Sequence, residues 1–383
     1  MTEHRIYADH NATTPVRPEV AREVARALET WGGNPSSPYA SGREARAKLD
    51  EARGRIAALF GAEPDEVVFV ASGTEADNLA LRGLPREILA KGVAISNVEH
   101  PAVEEPARLL EREGVRVERV PVEENGRVDP GRFAETIARG AGVVSLIHGQ
   151  NETGILQPIR EVGRLCRERG VLFHTDAAQT AGKLPIDLRS DPFDLVTIVG
   201  HKIYGPKGSG VLLVRDGIQL RPVLLGGGQE RGRRPGTESV ALALGLALAL
   251  ELAAQSRAED EERIGAVRDR FEARVTGRLS GVRSLGPHLP RIPGTSYLLI
   301  EGVSGGAVAA ALDRAGFEVS TGSACHSGSP EPSSAILAMG IPRGLALGGI
   351  RIGFGIGNRE DDADRLADAI ERIVSEERGK KGP

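Results

Sequence analysis

Three polar groups in this sequence each follow an apolar, strand-like run, where a hydrophobic core has no use for them: Ser72-Gly73-Thr74, Asp176 and Lys202. The first, at a strand-to-helix turn, offers backbone N–H groups, a hydroxyl and a helix N-terminus, which together suit a phosphate. An ordinary helix N-cap is the alternative interpretation. The turn has neither the spacing and lysine of a P-loop nor GxGxxG, so nucleoside triphosphates and dinucleotides are not favoured ligands.

Asp176 and Lys202 would supply the chemistry next to such a phosphate. Asp176 ends an apolar run, where a carboxylate persists mainly by pairing with a cation or a protonated ring nitrogen; a buried ion pair with an arginine is the alternative. Lys202 is one of only seven lysines, and burial would lower its pKa toward the free amine that imine formation needs, whereas a surface lysine is the alternative. A phosphate cup, a buried aspartate and a loop lysine at one sheet edge predict a pyridoxal-phosphate site.

The two cysteines have different surroundings in the sequence. Cys325 lies within residues 320–330, a run of small residues without apolar periodicity, so we expect an exposed, mobile loop and a reactive thiol. Cys166 shares a helical face with Ile159 and Val162, and we expect it to be a small buried hydrophobe.

The elements that must position these groups are strand-like runs that alternate with amphipathic helices between residues 67 and 214. This alternation predicts an α/β fold with a mostly parallel sheet, whose ligands bind beyond the carboxyl ends of the strands. A long charged helix over residues 258–279 links this sheet to a smaller α+β unit. We therefore predict a large cofactor-binding domain over residues 14–257. The small domain comprises residues 1–13 plus 258–383 and carries the cysteine loop, at about residues 320–333.

The composition excludes several classes of protein. The 383 residues include 49 Lys and Arg against 53 Asp and Glu, a net charge of -4, so no general attraction to nucleic acid or anionic membranes is expected. Two cysteines cannot build a disulfide framework or a four-thiolate metal site. The most apolar segment, residues 239–250, is shorter than the roughly 18 residues of a membrane span, and the first residues lack signal-peptide features. We predict a cytoplasmic protein with no metal, no membrane association and no direct nucleic-acid partner.

Seven motifs follow one another along the chain: Tyr7-Ala8-Asp9-His10-Asn11-Ala12-Thr13-Thr14-Pro15, Glu99-His100, Asn151-Glu152-Thr153-Gly154, His174-Thr175-Asp176-Ala177-Ala178-Gln179, Gly200-His201-Lys202, Arg234-Pro235-Gly236-Thr237-Glu238 and Ser323-Ala324-Cys325. In this order they resemble the cysteine desulfurases, in the class V aminotransferase branch of fold-type I pyridoxal-phosphate enzymes. The resemblance runs from residue 7 to about residue 358, and the cysteine segment resembles the nitrogen-fixation and housekeeping iron–sulfur desulfurases. It implies a seven-stranded type of sheet flanked by helices, and a homodimer.

The resemblance also implies a role for each matching residue around pyridoxal 5'-phosphate. Lys202 holds the cofactor as an imine and later moves the substrate Cα proton, Asp176 keeps the ring nitrogen protonated, and His100 stacks on the ring and shuttles protons. The other implied cofactor contacts are Asn151 and Gln179 at the ring hydroxyl, Gly73, Thr74 and His201 at the phosphate, and Thr237 reaching the phosphate from the partner subunit.

For the substrate, the resemblance implies L-cysteine, with its carboxylate bound by Arg351 beside Asn151, and Cys325 as the nucleophile. Attack by the thiolate would release L-alanine and leave a persulfide on Cys325. The sulfur would pass to an acceptor or iron–sulfur scaffold protein for iron–sulfur cluster assembly or tRNA thiolation. A selenocysteine lyase, another class V aminotransferase and a non-catalytic scaffold homologue are the alternatives.

One position departs from the family's pattern. Where Val199 stands, the family usually has a serine or threonine that donates to the phosphate, and its absence removes a hydrogen bond worth roughly 1.5 to 3 kcal/mol. Thr197 or a water could substitute for that hydroxyl. The role of His326, which follows Cys325, stays open between assisting thiolate formation and having no role.

Overall fold

The computed structural model describes residues 5–321 and 331–380. Its strands are β1 (Ile6–Tyr7), β2 (Val67–Val70), β3 (Val93–Ser96), β4 (Val117–Val120), β5 (Val143–Ser145), β6 (Leu172–Asp176), β7 (Leu195–Val199), β8 (Gly210–Val214), β9 (Val282–Ser284), β10 (Thr295–Ile300), β11 (Phe317–Glu318) and β12 (Gly349–Gly353). Its helices are α1 (Pro18–Thr30), α2 (Ala40–Leu59), α3 (Gly73–Arg82), α4 (Arg86–Leu89), α5 (Pro101–Arg112), α6 (Pro130–Ala138), α7 (Ile159–Arg169), α8 (Val240–Arg278), α9 (Gly305–Arg314), α10 (Ser334–Ala338), α11 (Arg343–Ala346) and α12 (Glu360–Gly379).

A seven-stranded sheet in the order β2-β8-β7-β6-β5-β3-β4 forms the centre of the fold. The pairs among β3 to β7 are parallel, whereas β8 runs antiparallel to both β2 and β7. Strands β2, β3, β7 and β8 are buried along their whole length, because helices cover both faces of such a sheet. The predicted α/β fold with a mostly parallel sheet is therefore confirmed.

Local signals in the sequence set the helix ends near the predicted site. Helix α3 begins where Ser72 Oγ accepts the amide of Glu75 at 3.1 Å, and α5 begins with His100 as its N-cap. Helix α7 ends at Gly170, whose φ of +64° is the left-handed conformation that favours glycine. Because α3 and α5 follow β2 and β3, their N-termini face the sheet edge at which β6 and β7 end.

A smaller sheet is built from the second half of the chain. Strands β9, β10 and β12 form an antiparallel sheet in the order β12-β10-β9, and β1 pairs in parallel with β11. An apolar cluster that contains Phe271, Leu298, Ile352 and Ile370 is the core of this unit. Ile6 belongs to the same cluster, so the start of the chain joins residues from its second half. The predicted domain boundaries stay a prediction.

Helix α8 is one continuous element. It contains most of the apolar segment of residues 239–250 and of the charged segment of residues 258–279. Its first half lies against α1, where Val24 contacts Gly245, and its second half lies along α12, where Arg274 pairs with Asp368 at 2.6 Å. Within the described ranges, this one helix is long and apolar enough to cross a membrane by length and composition alone. However, 56% of its most apolar window is buried inside the protein, as in a core helix of a globular protein.

Candidate active site

Asp176 is the last residue of β6 and is 4% exposed. Its Oδ1 accepts the backbone N–H of Ala178 at 2.8 Å, and no lysine or arginine within residues 5–321 and 331–380 forms an ion pair with it. Burial raises the pKa of Asp176, and the positive charges near it, at His100 and Lys202, oppose that rise. The expected alternative of an arginine ion pair is therefore wrong, and a protonated ring nitrogen would supply the missing cation.

Lys202 follows β7 and ends a short 3-10 turn, Gly200–Lys202. Its Nζ donates to the backbone carbonyl of Ala12 at 2.8 Å and also to that of Asn11. Burial lowers the pKa of Lys202 to about 7, and the positive charge of Arg351 lowers it further. The predicted desolvated lysine is thus present, and a substantial fraction of its amine is uncharged and nucleophilic at neutral pH.

The carbonyl of Asn11 connects two of the predicted cofactor residues. It accepts both Lys202 Nζ and Gln179 Nε2, the latter at 2.9 Å. Gln179 Oε1 is buried without a hydrogen-bond partner, which is a costly state for a polar atom. An acceptor held in this way fits a hydroxyl on a bound ring, as predicted for Gln179.

The first turn of α3 fits a phosphate. Its amides at Gly73 and Thr74 are among those that a helix cannot pair internally, and they carry the positive end of the helix dipole. A Cβ added to Gly73 would lie 2.9 Å from Val199 Cγ1, so only glycine leaves this approach open. Ser72 caps the helix at the same time, and the N-cap and phosphate interpretations are therefore compatible.

Val199 and Thr197 line the same side of β7, beside this turn. The methyl group of Thr197 lies 3.8 Å from the position of a Gly73 Cβ, whereas its hydroxyl lies 3.1 Å from His174 Nε2. The hydroxyl of Thr197 is therefore already engaged and does not replace the one that is missing at Val199. His201, the third predicted phosphate ligand, has its Nδ1 3.2 Å from Thr13 Oγ1, and burial lowers its pKa to about 4.

His100 is half-buried at the N-terminus of α5. Its Nδ1 accepts the backbone N–H of Ala102 at 3.1 Å, so in the neutral ring the proton lies on Nε2. Burial lowers the pKa of His100, although the charge of Asp176 opposes this. In its neutral form the imidazole has a free Nε2–H, which suits a ring that stacks on a cofactor and relays a proton.

Arg351, on β12, is held by Asn151, which has a predicted role, and by Asp9, which has none. Its Nη2 lies 2.8 Å from Asp9 Oδ1, its Nη1 donates to the carbonyl of Asn151 at 3.2 Å, and its Nε is buried without a partner. This brings Arg351 and Asn151 together as predicted. Asp9 and Asn11 lie in the motif of residues 7–15, which was the available signal for them.

A second group that the sequence analysis missed surrounds His174, two residues before Asp176 on the same face of β6. Ser145 Oγ lies 2.8 Å from its Nδ1, and Asp77 Oδ1 lies 3.5 Å from its Nε2. Burial lowers the pKa of His174 to about 3 and raises that of Asp77, which the charge of Asp176 raises further. Burial therefore favours the neutral form of both groups beside Asp176. The signal for Asp77 was a charged residue among the apolar positions of α3.

The remaining predicted residues are Thr237, Cys325 and His326. Thr237 is exposed on the described chain, and its contact with a partner's phosphate stays a prediction. Cys325 and His326 lie outside the described residues. Cys166, by contrast, is fully buried in the core, and burial raises its pKa to about 12, as expected for a small hydrophobe.

The comparisons with known proteins agree with this geometry. Residues 6–366 match the family described as Aminotransferase class-V. The cysteine desulfurase IscS of Dictyoglomus turgidum is 39% identical over 96% of this chain and 94% of the relative, and the cysteine desulfurase NifS of Azotobacter vinelandii is 39% identical over 97% and 93%. A solved NifS-like protein superposes with a TM-score of 0.90 at 31% identity, covering 97% of this chain and 99% of that one. The chain belongs to the cysteine desulfurases of the class-V aminotransferase family.

Proposed function

We propose that this protein converts L-cysteine to L-alanine and retains the sulfur as a persulfide on Cys325. The observation that carries this is the convergence, at one sheet edge, of a lysine with a lowered pKa and a buried aspartate that lacks a cation, Lys202 and Asp176. These are the two groups that a covalently held, protonated pyridine ring needs. The guanidinium of Arg351, with Nε still unpaired, is suited to the carboxylate of an amino acid.

The family is dependent on pyridoxal phosphate, and the residues of this site fit that cofactor. Lys202 would bind its aldehyde carbon, Asp176 its ring nitrogen, and His100 its ring face. The phosphate would be held by Gly73, Thr74 and His201, and the ring hydroxyl by Asn151 and Gln179. When bound, the cofactor withdraws electrons from the substrate Cα, which makes the Cα proton acidic and the substrate sulfur electrophilic.

The remaining steps use this chain's own groups. Arg351 orients the substrate carboxylate, and Lys202 takes the Cα proton because its amine is partly uncharged at neutral pH. The Cys325 thiolate attacks the substrate sulfur, a sulfur–sulfur bond forms as the carbon–sulfur bond breaks, and the released carbon takes a proton to give alanine. The outer sulfur then passes to an acceptor or scaffold protein, for iron–sulfur cluster assembly or tRNA thiolation.

We propose that two copies of the chain form a homodimer in the cytoplasm, in which Thr237 of each reaches the phosphate bound by the other. The segment before Thr237 supports this, because it presents Leu224 and Leu225, which are 55% and 89% exposed. Exposed leucines side by side favour burial against another surface. We retain residues 14–257 as the cofactor-binding domain and residues 1–13 plus 258–383 as the small domain.

The test is production of alanine from L-cysteine by the purified, cofactor-loaded protein, with an added dithiol that reduces the persulfide and releases its outer sulfur as sulfide. Because the chain has two cysteines, Cys166→Ala leaves Cys325 as the sole thiol and serves as the matched control for Cys325→Ala. We expect Cys166→Ala to retain activity and to gain the mass of one sulfur atom on Cys325, and Cys325→Ala to lose both. Full activity of Cys325→Ala on cysteine would refute the persulfide step. Activity of that variant on selenocysteine alone would favour a selenocysteine lyase, and a colourless protein that takes up no cofactor would favour a scaffold.

A further inference from the structure

A buried carboxyl group, Glu152, has no part in the function described so far. It is 7% exposed and lies next to Asn151, in the turn between β5 and α7. Its Oε1 accepts the hydroxyl of Ser333 at 2.8 Å, and its Oε2 is buried without a partner. Burying an acidic side chain with only one neutral hydrogen-bond partner lowers the stability of the fold. Such a residue therefore indicates a role other than stabilising the core.

The partner, Ser333, stands at a particular place in the chain. It is the N-cap of α10, where its Oγ also accepts the amide of Ile336 at 3.4 Å, and it is 6% exposed. It stands eight positions after Cys325 in the sequence. The hydrogen bond to Glu152 therefore fastens the chain on the carboxyl side of the proposed nucleophile.

The other side of Glu152 leads to the proposed substrate arginine. The carbonyl of Asn151 accepts Arg351 Nη1 at 3.2 Å and the side chain of Asn11 at 3.3 Å. The backbone of Arg351 in turn exchanges two hydrogen bonds with Ser320, at 2.7 and 3.2 Å. Both described ends of the cysteine-bearing segment thus connect to Arg351. Ser320 bonds directly to its backbone, and Ser333 bonds to Glu152, whose neighbour Asn151 accepts Arg351 Nη1.

We propose that Glu152 is a positioning residue, whose hydrogen bond to Ser333 anchors the carboxyl-side end of the cysteine-bearing segment relative to the arginine that binds the substrate carboxylate. The inference rests on the proposed function, because it presupposes that Arg351 binds substrate and that Cys325 attacks it. Nucleophilic attack depends on the relative placement of the two reacting atoms, so loosening one end of the segment lowers the rate of attack. Arg351 keeps its ion pair with Asp9, so substrate binding should change little.

The first experiment measures persulfide formation on Cys325 in a single turnover of the cofactor-loaded enzyme. Glu152→Ala and Ser333→Ala should each slow that step about tenfold, the equivalent of one buried hydrogen bond, and leave KM for L-cysteine and the cofactor absorbance unchanged. Glu152→Gln and Ser333→Thr keep the acceptor and the donor, so they should restore the wild-type rate. Ser334→Ala, at the exposed neighbouring serine, is the matched control.

If Glu152 only stabilised the fold, its loss would instead raise KM for L-cysteine and weaken cofactor binding. The losses of rate in the two single variants would then add in the double variant. The proposal predicts that the double variant Glu152→Ala with Ser333→Ala is no slower than either single variant. Wild-type rates in both alanine variants, or additive losses, would overturn it.

The second experiment needs neither cofactor nor turnover. In the ligand-free protein, hydrogen exchange of the α10 amides should rise several-fold in Glu152→Ala and stay at the wild-type level in Glu152→Gln. Unchanged exchange in Glu152→Ala would overturn the proposed tie. Faster exchange in Glu152→Ala, in a protein whose Cys325→Ala variant retains full activity, would uphold the tie and refute the proposed function instead.

Discussion

Val199 is the position at which a single hydroxyl group should change how tightly this protein holds pyridoxal phosphate. The side chain is 2% exposed, and its Cγ1 lies 2.9 Å from where a Cβ on Gly73 would be. It therefore borders the helix turn whose amides fit the phosphate. Threonine has the same branched shape as valine, so Val199→Thr places a donor at this border with little change in volume.

The expected gain follows from the charge of the acceptor. A hydrogen bond to a charged group contributes roughly 1.5 to 3 kcal/mol, and each 1.4 kcal/mol is about a tenfold change in the dissociation constant. Val199→Thr should therefore lower the dissociation constant for the cofactor roughly 10- to 100-fold. In the ligand-free protein the new hydroxyl has no assigned acceptor, since Thr197 beside it bonds to His174, and its burial should cost about 1 to 3 kcal/mol of stability.

The assay is an equilibrium titration of ligand-free protein with pyridoxal phosphate, followed by the absorbance of the bound cofactor. Val199→Ala is the control, because it removes methyl groups without adding a donor. We expect the alanine variant to bind the cofactor within about twofold of the wild type and to lose stability through the cavity that it creates.

Equal affinities for Val199→Thr and Val199→Ala would refute this reasoning. That result would mean that the phosphate does not lie at the first turn of α3, or that a bound water already supplies the missing donor. Val199→Ser separates these two explanations, because its smaller side chain leaves space for a water while it retains a hydroxyl. If the phosphate lies elsewhere, the serine variant should also bind the cofactor with unchanged affinity, whereas a changed affinity would indicate a water-mediated contact at this position.

Three further predictions concern charge and protonation. Because the pKa of Lys202 is lowered to about 7, attachment of pyridoxal phosphate to the ligand-free protein should slow about tenfold per pH unit below that value; a rate that does not change with pH there would contradict the free-amine argument. Arg351→Lys loses the planar fork and should raise KM for L-cysteine about tenfold or more in steady-state assays, with an unchanged KM counting against carboxylate binding at this residue. Burial raises the pKa of Glu99 from 4.5 to about 8, so the folded state keeps this proton longer than the unfolded state, and the stability that it contributes declines as the pH rises from 4.5 to 8. Glu99→Gln should remove that decline, up to about 1.4 kcal/mol per pH unit in denaturant unfolding; identical pH slopes in the two proteins would show that Glu99 is ionised.

The sequence predicts best those elements that carry their own end signals. An amphipathic pattern predicts a helix over residues 159–169, and α7 has these bounds because Gly170 stops it. A run of five apolar and β-branched residues before Gly200 predicts a strand over residues 195–199, which is β7. Helices α1 and α2 are not predicted by the same patterns. The buried face of α2 includes Gly42, Ala45 and Ala52, and such small residues give little hydrophobic periodicity to detect.

Tertiary context accounts for two other differences. The sequence pattern extends β4 from residue 115 to residue 122, whereas the strand spans Val117–Val120, because it is the edge of the sheet and pairs on one side with β3 alone. The apolar and charged halves of α8 differ in composition, yet no glycine or proline stands between residues 246 and 264. Without such a residue nothing interrupts the helix, and each half is stabilised by a different set of neighbours.

The site contains groups that could be predicted from side-chain type and groups that the backbone supplies, which could not. Asp176 and Lys202 could be predicted because a charged side chain at or just beyond the end of a buried strand conflicts with its surroundings, and that conflict is visible in the sequence. The carbonyl of Asn11 could not, since every residue has a carbonyl and only the fold brings this one to Lys202 Nζ and Gln179 Nε2. An uncharged amine needs only one acceptor for each N–H that it points at the backbone, whereas an ammonium group would gain more from a carboxylate. The segment of residues 11–12 surrounds Lys202 Nζ with carbonyls rather than carboxylates. The charges of Asp176 and Asp9 raise the pKa of the amine, but burial outweighs them and holds it at about 7. In this way a stretch without an ionised side chain favours the nucleophile.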